Sequence, residues 1–381
     1  MRDAVIVDAV RTPIGRRNGT LGGIHPVDLS ALLLNALITR SGLEPGMIED
    51  VIWGCVTQIG DQSSNVGRLA VLAAGWPESV PGTTVDRACG SSQQAVSFAA
   101  ASVISGQADV VVAGGVESMS RVPIGSARQT GMPYGPQVRA RYQADSFSQG
   151  LGAEMMADKW DLSRLALDEF AARSHHLAAQ AIDAGVFDAQ VIPVPVDGTE
   201  VRLDEGVRRQ TSVEVLAALK PAFREGGRIH AGNSSQISDG AGALLIMTSE
   251  RAGALGLRPM ASFHAGAVRG DDPVMMLSAP IPATAAVLGR AGLRIADIGA
   301  FEVNEAFASV PLAWLAETGA DPGLLNQLGG AIAVGHPLGG SGAILMTRLV
   351  HHMRDTGARF GLQTMCEAGG MANATILELA P

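Results

Sequence analysis

The chain has 381 residues, a formal net charge of −9 and only 4% aromatic residues. An acidic, aromatic-poor chain has neither the basic field nor the stacking surface of a nucleic-acid binder, so no nucleic-acid partner is expected. Hydrophobic residues at 47% against 17% charged give a globular chain with ample core, not a disordered one.

The chain opens on a strand-like run, Ala4-Val5-Ile6-Val7, with no signal or transit segment before it. Gly, Ser or charge interrupts every long apolar run, so no membrane span is expected. Cys55, Cys89 and Cys366 make no disulfide framework and no Cys-x-x-Cys pattern. The expectation is a cytoplasmic protein with reduced thiols and no metal.

Strand-like runs Val5–Asp8, Val51–Gly54 and Val110–Ala113 alternate with helix-like runs Asp28–Arg40, Val66–Ala74 and Gln93–Ser105. That alternation predicts an α/β chain with mixed or parallel sheets covered by helices. The pattern then recurs. Gly42-Leu43, Ile48, Val51 and Gly54 match Gly292-Leu293, Ile298, Phe301 and Asn304, each 250 positions later. The same offset carries Cys89-Gly90-Ser91-Ser92 onto Gly339-Gly340-Ser341-Gly342. Each of these turns opens a small-residue helix, Gln93–Ser105 or Ala343–His352, that leads to a strand, Val110–Ala113 or Gly361–Met365. One constant offset with one order of elements reads as an internal duplication.

The stretch from Met119 to Ser238 has no counterpart. It carries Pro123, Pro133 and Pro136, then a polar helical run, Ser163–Ala184, and reads as a lid or binding region. The expected division is a first half over 1–118 with 239–258 returning to it, an insertion over 119–238, and a second half over 259–381.

Four places carry the chemistry. Cys89 lies at a helix start, where the macrodipole favours a thiolate, although a buried free cysteine is equally compatible with plain core. His336, in Gly335-His336-Pro337-Leu338-Gly339-Gly340-Ser341-Gly342, sits in a stiff glycine-rich loop that suits a general base. Cys366, in Met365-Cys366-Glu367-Ala368-Gly369-Gly370, ends a strand that the duplication places beside the Cys89 turn. Asn304, in Asn304-Glu305-Ala306-Phe307, either polarises a carbonyl or caps a helix over Glu305–Glu317. Cys55 has no such setting and reads as structural. In the insertion, Arg208, Arg209, Lys220, Arg224 and Arg228 with Gly232-Asn233-Ser234-Ser235 suit either a phosphate-bearing, pantetheine-like ligand or a solvated charged face.

Together these residues resemble the thiolases, over essentially the whole chain from Arg11-Thr12-Pro13-Ile14-Gly15 to the Cys366 block. The ordered set of Cys89, Asn304-Glu305-Ala306-Phe307, Gly335-His336-Pro337 and Cys366 makes the resemblance specific. It implies a duplicated five-layered αβαβα thiolase fold with an inserted loop domain, and a homodimer or homotetramer in which Gln62–Arg68 lies near the interface. It implies that Cys89 takes the acyl group, that His336 activates Cys89 and then the incoming thiol, and that Cys366 is the acid/base at the substrate α-carbon. Asn304 would hold a water that, with His336, stabilises the thioester oxygen. The N–H groups of Cys89 and Ala368 would form a second oxyanion hole. Arg208 and Ser235 would contact coenzyme A, which is a substrate; no permanently bound cofactor is implied. Gln149 and Phe307 are the expected substrate-pocket side chains.

Two positions depart from the usual pattern. Ala368 stands where Cys-x-Gly is usual, and Gln149 replaces the Met of many short-chain thiolases. With Gly54–Gln62, which resembles lipid- and steroid-degrading bacterial thiolases, this implies a degradative enzyme for bulky 3-oxoacyl-CoAs. The alternatives are a short-chain acetoacetyl-CoA enzyme, a condensing synthase of the same superfamily, and a non-catalytic acyl-CoA carrier. Cys366 argues against the synthase. The complete set of four residues argues against the carrier.

Overall fold

The computed structural model describes residues 2–129 and 131–380. Its main strands are β1 (Val5–Arg11), β2 (Asp50–Gly54), β3 (Thr83–Val85), β4 (Val110–Ser118), β5 (Ser238–Met247), β6 (Ala261–Gly270), β7 (Ala300–Val303), β8 (Phe360–Glu367) and β9 (Met371–Leu379). First-half strands run in the order β3-β2-β4-β5-β1 and second-half strands in the order β6-β9-β8-β7. The two groups join where Val5 and Ile6 of β1 pair with Ser262 and Ala261 of β6. Pairs β2–β3, β2–β4 and β7–β8 are parallel, and the rest of this path is antiparallel.

The flanking helices are α1 (Pro26–Ser41), α2 (Val66–Ala73), α3 (Ser91–Ser105), α4 (Pro280–Ala291), α5 (Ser309–Thr318) and α6 (Ser341–Thr356). Helices α1 and α2 cover the outer face of the first-half strands through Leu33, Leu37, Val66 and Val71 against Val10, Val112 and Leu245. Helices α4 and α5 cover the second half through Val287, Val310 and Trp314 against Phe301 and Leu362. Between the two strand groups lie α3 and α6, whose Val96, Ala99, Met346 and Leu349 meet Ile52, Val111, Leu244 and Leu377. This is a five-layered mixed α/β fold. Strand β5 is buried along its whole length, as expected of a strand covered on both faces.

The duplication is visible in the elements. Strands β2 and β7 begin at 50 and 300, helices α3 and α6 at 91 and 341, and strands β4 and β8 at 110 and 360. Helices α1 and α4 both stop at a left-handed glycine, Gly42 and Gly292, each with φ of 67°. The starts of α3 and α6 are pressed together. A Cβ at Gly342 would lie 2.3 Å from the Gln93 nitrogen, and Ala343 N–H donates to Ser92 Oγ at 2.9 Å. The sequence-matched turns at Cys89 and Gly339 therefore meet at the centre of the molecule.

Between β4 and β5 the chain forms the helices Pro136–Tyr142, Gln149–Lys159 and Arg164–Asp183 and a small hairpin, Val194–Val196 with Thr199–Val201. Ser163 caps the third helix by accepting from Ala166 N–H at 3.1 Å. Its Leu167, Phe170 and Ala171 join the second-half core. Among the described residues, no helix is long and apolar enough to cross a membrane.

One expected element is shorter. The helix predicted over Glu305–Glu317 begins only at Ser309, so Asn304 is not its cap. Residues 305–308 are held as an irregular turn instead. Ser235 N–H donates to Ala306 O, and Ala308 N–H donates to Asn233 O, each at 2.9 Å. The Glu305 carboxylate is buried among three donors. Those partners outweigh the helix propensity of the run.

Candidate active site

Cys89 lies on the turn between β3 and α3. Ala88, just before it, takes a left-handed φ of 46°, and Ala88 N–H donates to Asp86 Oδ1 at 2.7 Å. Gly90 N–H then donates to Arg87 O, and Ser91 N–H to Ala88 O, each at 3.1 Å. The strained elbow places Cys89 one residue before the N-cap of α3 and buries it against Met119, Leu338, Leu345 and Met365.

His336 is fully oriented by its neighbours. Its backbone N–H meets Gln236 O at 3.1 Å and Ser238 Oγ at 3.2 Å. Its Nδ1 lies 2.6 Å from Ser341 Oγ, which itself donates to Pro337 O at 2.8 Å. A hydroxyl whose hydrogen is committed to a carbonyl must accept from the ring, so Nδ1 carries the proton and Nε2 presents its lone pair. Asn304 Nδ2 faces that Nε2 at 3.4 Å, and Asn304 Oδ1 is buried with no partner. Asn304 itself follows β7, with its N–H donating to Thr364 O on β8 at 3.0 Å.

Cys366 is buried near the end of β8, paired with Ala372 across the β8–β9 hairpin. Ala368 lies in the hairpin's turn, packed on the second-half core. Beneath the site, the buried Glu117 carboxylate accepts from Val56 N–H, Thr57 N–H, Gln62 Nε2 and Gly339 N–H at 2.7–3.0 Å. The Gly339 carbonyl enters a slot between Gly54 and Gly115. A Cβ at Gly54 would lie 2.8 Å from that oxygen, and one at Gly115 only 2.3 Å from it. Cys55 is buried against the backbone of Gly339 and serves structure.

The electrostatics differ from a simple helix-end thiolate. Burial, reinforced by Glu367, pushes the Cys89 thiol up to about 12. Burial, reinforced by Cys89, also pushes Cys366 well above the ordinary thiol range. Burial holds the His336 imidazole down to about 4. At neutral pH the resting site is therefore two thiols and a neutral imidazole. Desolvation outweighs the helix dipole that the sequence favours, because Cys89 lies outside the first turn and away from water.

The residues expected to face a ligand lie in the insertion and, for Phe307, in the second half. Ser235 is strapped beside Phe307 by the bond to Ala306 O. Phe307 meets the Phe223 ring edge-on at 5.9 Å, and Phe223 packs on Gly150, next to Gln149. Arg208 is exposed, and its N–H donates to the buried His175 Nδ1 at 3.0 Å. Arg209 pairs with Asp183, and Arg224 and Arg228 with Asp158. Among the described residues, no carboxylate lies within ion-pair distance of Arg208 or Lys220. The basic run is thus mainly a set of surface ion pairs, with Arg208 and Lys220 left over for an anion.

The family models for the thiolase N-terminal and C-terminal domains match residues 4–250 and 257–379. The chain belongs to the thiolase family. It is 50% identical to the steroid 3-ketoacyl-CoA thiolase FadA6 of Mycobacterium tuberculosis, over 99% of this chain and 94% of the relative. It is 41% identical to a 3-ketoacyl-CoA thiolase of Bacillus subtilis over the full length of both. The crystal structure of the Bacillus anthracis acetyl-CoA acetyltransferase is similar at a TM-score of 0.91 and 36% identity, covering 100% of this chain and 99% of that one.

Several residues of this thiolase site escape sequence reasoning. Ser341 stands inside the glycine-rich motif, but only the fold shows that it fixes the imidazole. Glu305 looks like part of a catalytic signature, yet it accepts from Ser174 Oγ, Asn326 Nδ2 and Ile332 N–H and so anchors the segment leading to His336. Phe223 carries no local signal at all; its role depends on Phe307, distant in sequence.

Proposed function

We propose that this thiolase cleaves 3-oxoacyl-CoA with coenzyme A, releasing acetyl-CoA and a shortened acyl-CoA, and that it works in degradation. The observation that carries the assignment of roles is the His336 ring, pinned by Ser341 with an unprotonated Nε2 that faces the Asn304 amide at 3.4 Å. Cys89 Sγ attacks the 3-keto carbon as its proton passes to His336 Nε2. The bond between the α- and β-carbons then breaks, and the acetyl-CoA enolate takes a proton from Cys366. His336 then returns its proton to the Cys366 thiolate; coenzyme A, deprotonated by the regenerated imidazole, attacks the thioester, and Cys89 leaves as a thiolate that takes that proton back from His336, giving ping-pong kinetics. Asn304, with His336 and a water, stabilises one thioester oxygen, and the N–H groups of Cys89 and Ala368 the other. The orphaned, buried Asn304 Oδ1 supports a water there.

In the same reading, residues 119–238 form the lid and coenzyme A region. Arg208 lies at the nucleotide end, Ser235 along the pantetheine, and Gln149 and Phe307 beside the acyl group. No permanently bound cofactor is needed. The enzyme is a cytoplasmic homo-oligomer. The edge strand β3 and the exposed Leu69, Leu72, Phe98 and Ile104 on α2 and α3 support an interface on that side.

The similarity to a steroid 3-ketoacyl-CoA thiolase supports a bulky acyl group, while the likeness to an acetyl-CoA acetyltransferase favours a short one. We take the first, because Gln149 replaces the Met of short-chain enzymes. A thiolysis panel over acetoacetyl-, long-chain and polycyclic 3-oxoacyl-CoAs decides between them. Absence of thiolysis throughout the panel would overturn the reading.

A further inference from the structure

Glu367 is an unusual neighbour for two thiols. It follows Cys366 at the end of β8, is 0% exposed, and neither carboxyl oxygen has a hydrogen-bond partner. The carboxyl lies flat against the residue after Cys89. A Cβ added at Gly90 would meet Glu367 Oε1 at 1.9 Å, and Asn373 Nδ2 at 3.1 Å. That Asn373 amide donates to Gly90 O at 3.1 Å and makes no hydrogen bond to the carboxyl. The carboxyl group is therefore wedged behind the Cys89 elbow, with only the Asn373 backbone N–H and the Arg87 charge near enough to favour its ionised form.

The ionisable groups around it come from two elements. The turn before α3 supplies Asp86, Arg87 and Cys89, and β8 supplies Cys366. Glu117, on β4, acts on Cys89 from the other side. Arg87 is the sole cation among them. Its Nε is buried without a partner, and its Nη1 points at Met371 Sδ, 3.9 Å away, so it is near Glu367 without pairing with it. An unpaired carboxylate in such a place costs several kcal/mol, and the group remains neutral instead.

We propose that Glu367 is a positioning residue that acts through the charge on Cys89: as a neutral acid it lets the thiolate form, and once ionised it suppresses the thiolate. This rests on the reading of Cys89 as the nucleophile. The physical basis is mutual repulsion: two negative charges behind one turn, away from water, cannot form together at little cost. Burial, only partly offset by Arg87 and the Asn373 backbone N–H, holds the Glu367 carboxyl up to about 8, so the suppression falls just above neutral pH. Below that pH the acid is silent. Above it, loss of its proton to solvent removes the gain in nucleophilicity that rising pH would otherwise give Cys89.

The test is alkylation of the intact enzyme by iodoacetamide from pH 6.5 to 9.5, with Cys89 labelling followed by peptide mass. In the wild type the rate should rise with pH and then flatten near pH 8. In Glu367→Gln, which keeps the shape and loses the charge, it should keep rising and exceed the wild type about tenfold at pH 9. The kcat/KM profile for thiolysis should lose its alkaline limb in the same variant. Superimposable alkylation profiles overturn the proposal. So does a wild-type rate that climbs through pH 9.5 without a break, a result that needs no variant to fold. If Cys89 is not the residue labelled, the nucleophile assignment fails instead.

Discussion

Ser341 Oγ lies 2.6 Å from His336 Nδ1 and gives its own hydrogen to the Pro337 carbonyl at 2.8 Å. One hydroxyl thus fixes both the tautomer and the angle of the imidazole. Ser341→Ala should leave Nδ1 without its acceptor and let the ring turn. A misplaced base of this kind costs about 10- to 100-fold in rate. We expect kcat to fall by that amount with KM for the 3-oxoacyl-CoA little changed, because Ser341 touches the base and not the ligand. Steady-state thiolysis kinetics measure the split. A rise in KM alone at constant kcat would show that Ser341 merely shapes the pocket.

Cys89 and Cys366 should separate into different half-reactions. Cys89→Ala should fold and show no acyl adduct by intact-mass spectrometry after incubation with a 3-oxoacyl-CoA. Cys366→Ser should still be acylated at Cys89 by an activated thioester but lose carbon–carbon bond cleavage by about 10²–10⁴-fold, the usual range for an acid or base. His336→Ala should impair both steps. An adduct that persists in Cys89→Ala refutes the first assignment, and near wild-type thiolysis in Cys366→Ser refutes the second.

The architecture was legible because duplication leaves a signal that survives divergence. The 250-residue offset tied Gly42 to Gly292 and the Cys89 turn to the Gly339 turn, and those turns meet in the centre of the fold. The ionisation of Cys89 was not legible. A cysteine before a helix reads as a thiolate in one dimension, while its burial by Met119, Leu338, Leu345 and Met365 is a property of three separate segments. The same limit applies to Asn304-Glu305-Ala306-Phe307. Its helical pattern was plain, but the pull of Asn233, Ser235, Ser174 and Asn326 on that run comes from far along the chain.

His175 should tie stability to pH. Burial, then the nearby Arg208, holds its imidazole down to about 4, against an ordinary value of 6.5. The folded value is depressed, so its contribution is complete above pH 6.5 and is lost as the pH falls toward 4. The loss is about 1.4 kcal/mol per pH unit at most, from the single proton bound by the unfolded chain. Glu302 shifts the other way, raised to about 7 by burial, so the wild-type curve alone blends opposing slopes. The comparison with His175→Gln isolates the histidine. Wild type should be the more stable at pH 7.5, and the gap should narrow by about 1–3 kcal/mol by pH 4.5. Urea unfolding at several pH values measures it, and a gap independent of pH would mean that folding leaves the His175 imidazole unshifted. Because Arg208 N–H rests on His175 Nδ1, the same variant should raise KM for coenzyme A.

Acyl width should be set where Gln149, Gly150, Phe223 and Phe307 converge. Phe223 stands edge-on to Phe307 at 5.9 Å and packs on Gly150, one residue from Gln149. Gln149 is half-buried at the first turn of its helix, with Ser148 capping that turn by accepting from Leu151 N–H at 3.4 Å. The position of Gln149 is therefore fixed by the cap, and its side chain is free to border the acyl group. Each methylene buried there contributes about 0.8 kcal/mol, or roughly fourfold in kcat/KM. We expect kcat/KM at saturating coenzyme A to be higher for bulky 3-oxoacyl-CoAs than for acetoacetyl-CoA. Gln149→Met should narrow that ratio by placing a flexible apolar chain in the space, and Phe223→Ala should lower kcat/KM for every substrate by removing packing under Phe307. A wild-type preference for acetoacetyl-CoA would refute the wide-pocket reading while leaving the roles of Cys89, His336 and Cys366 untouched.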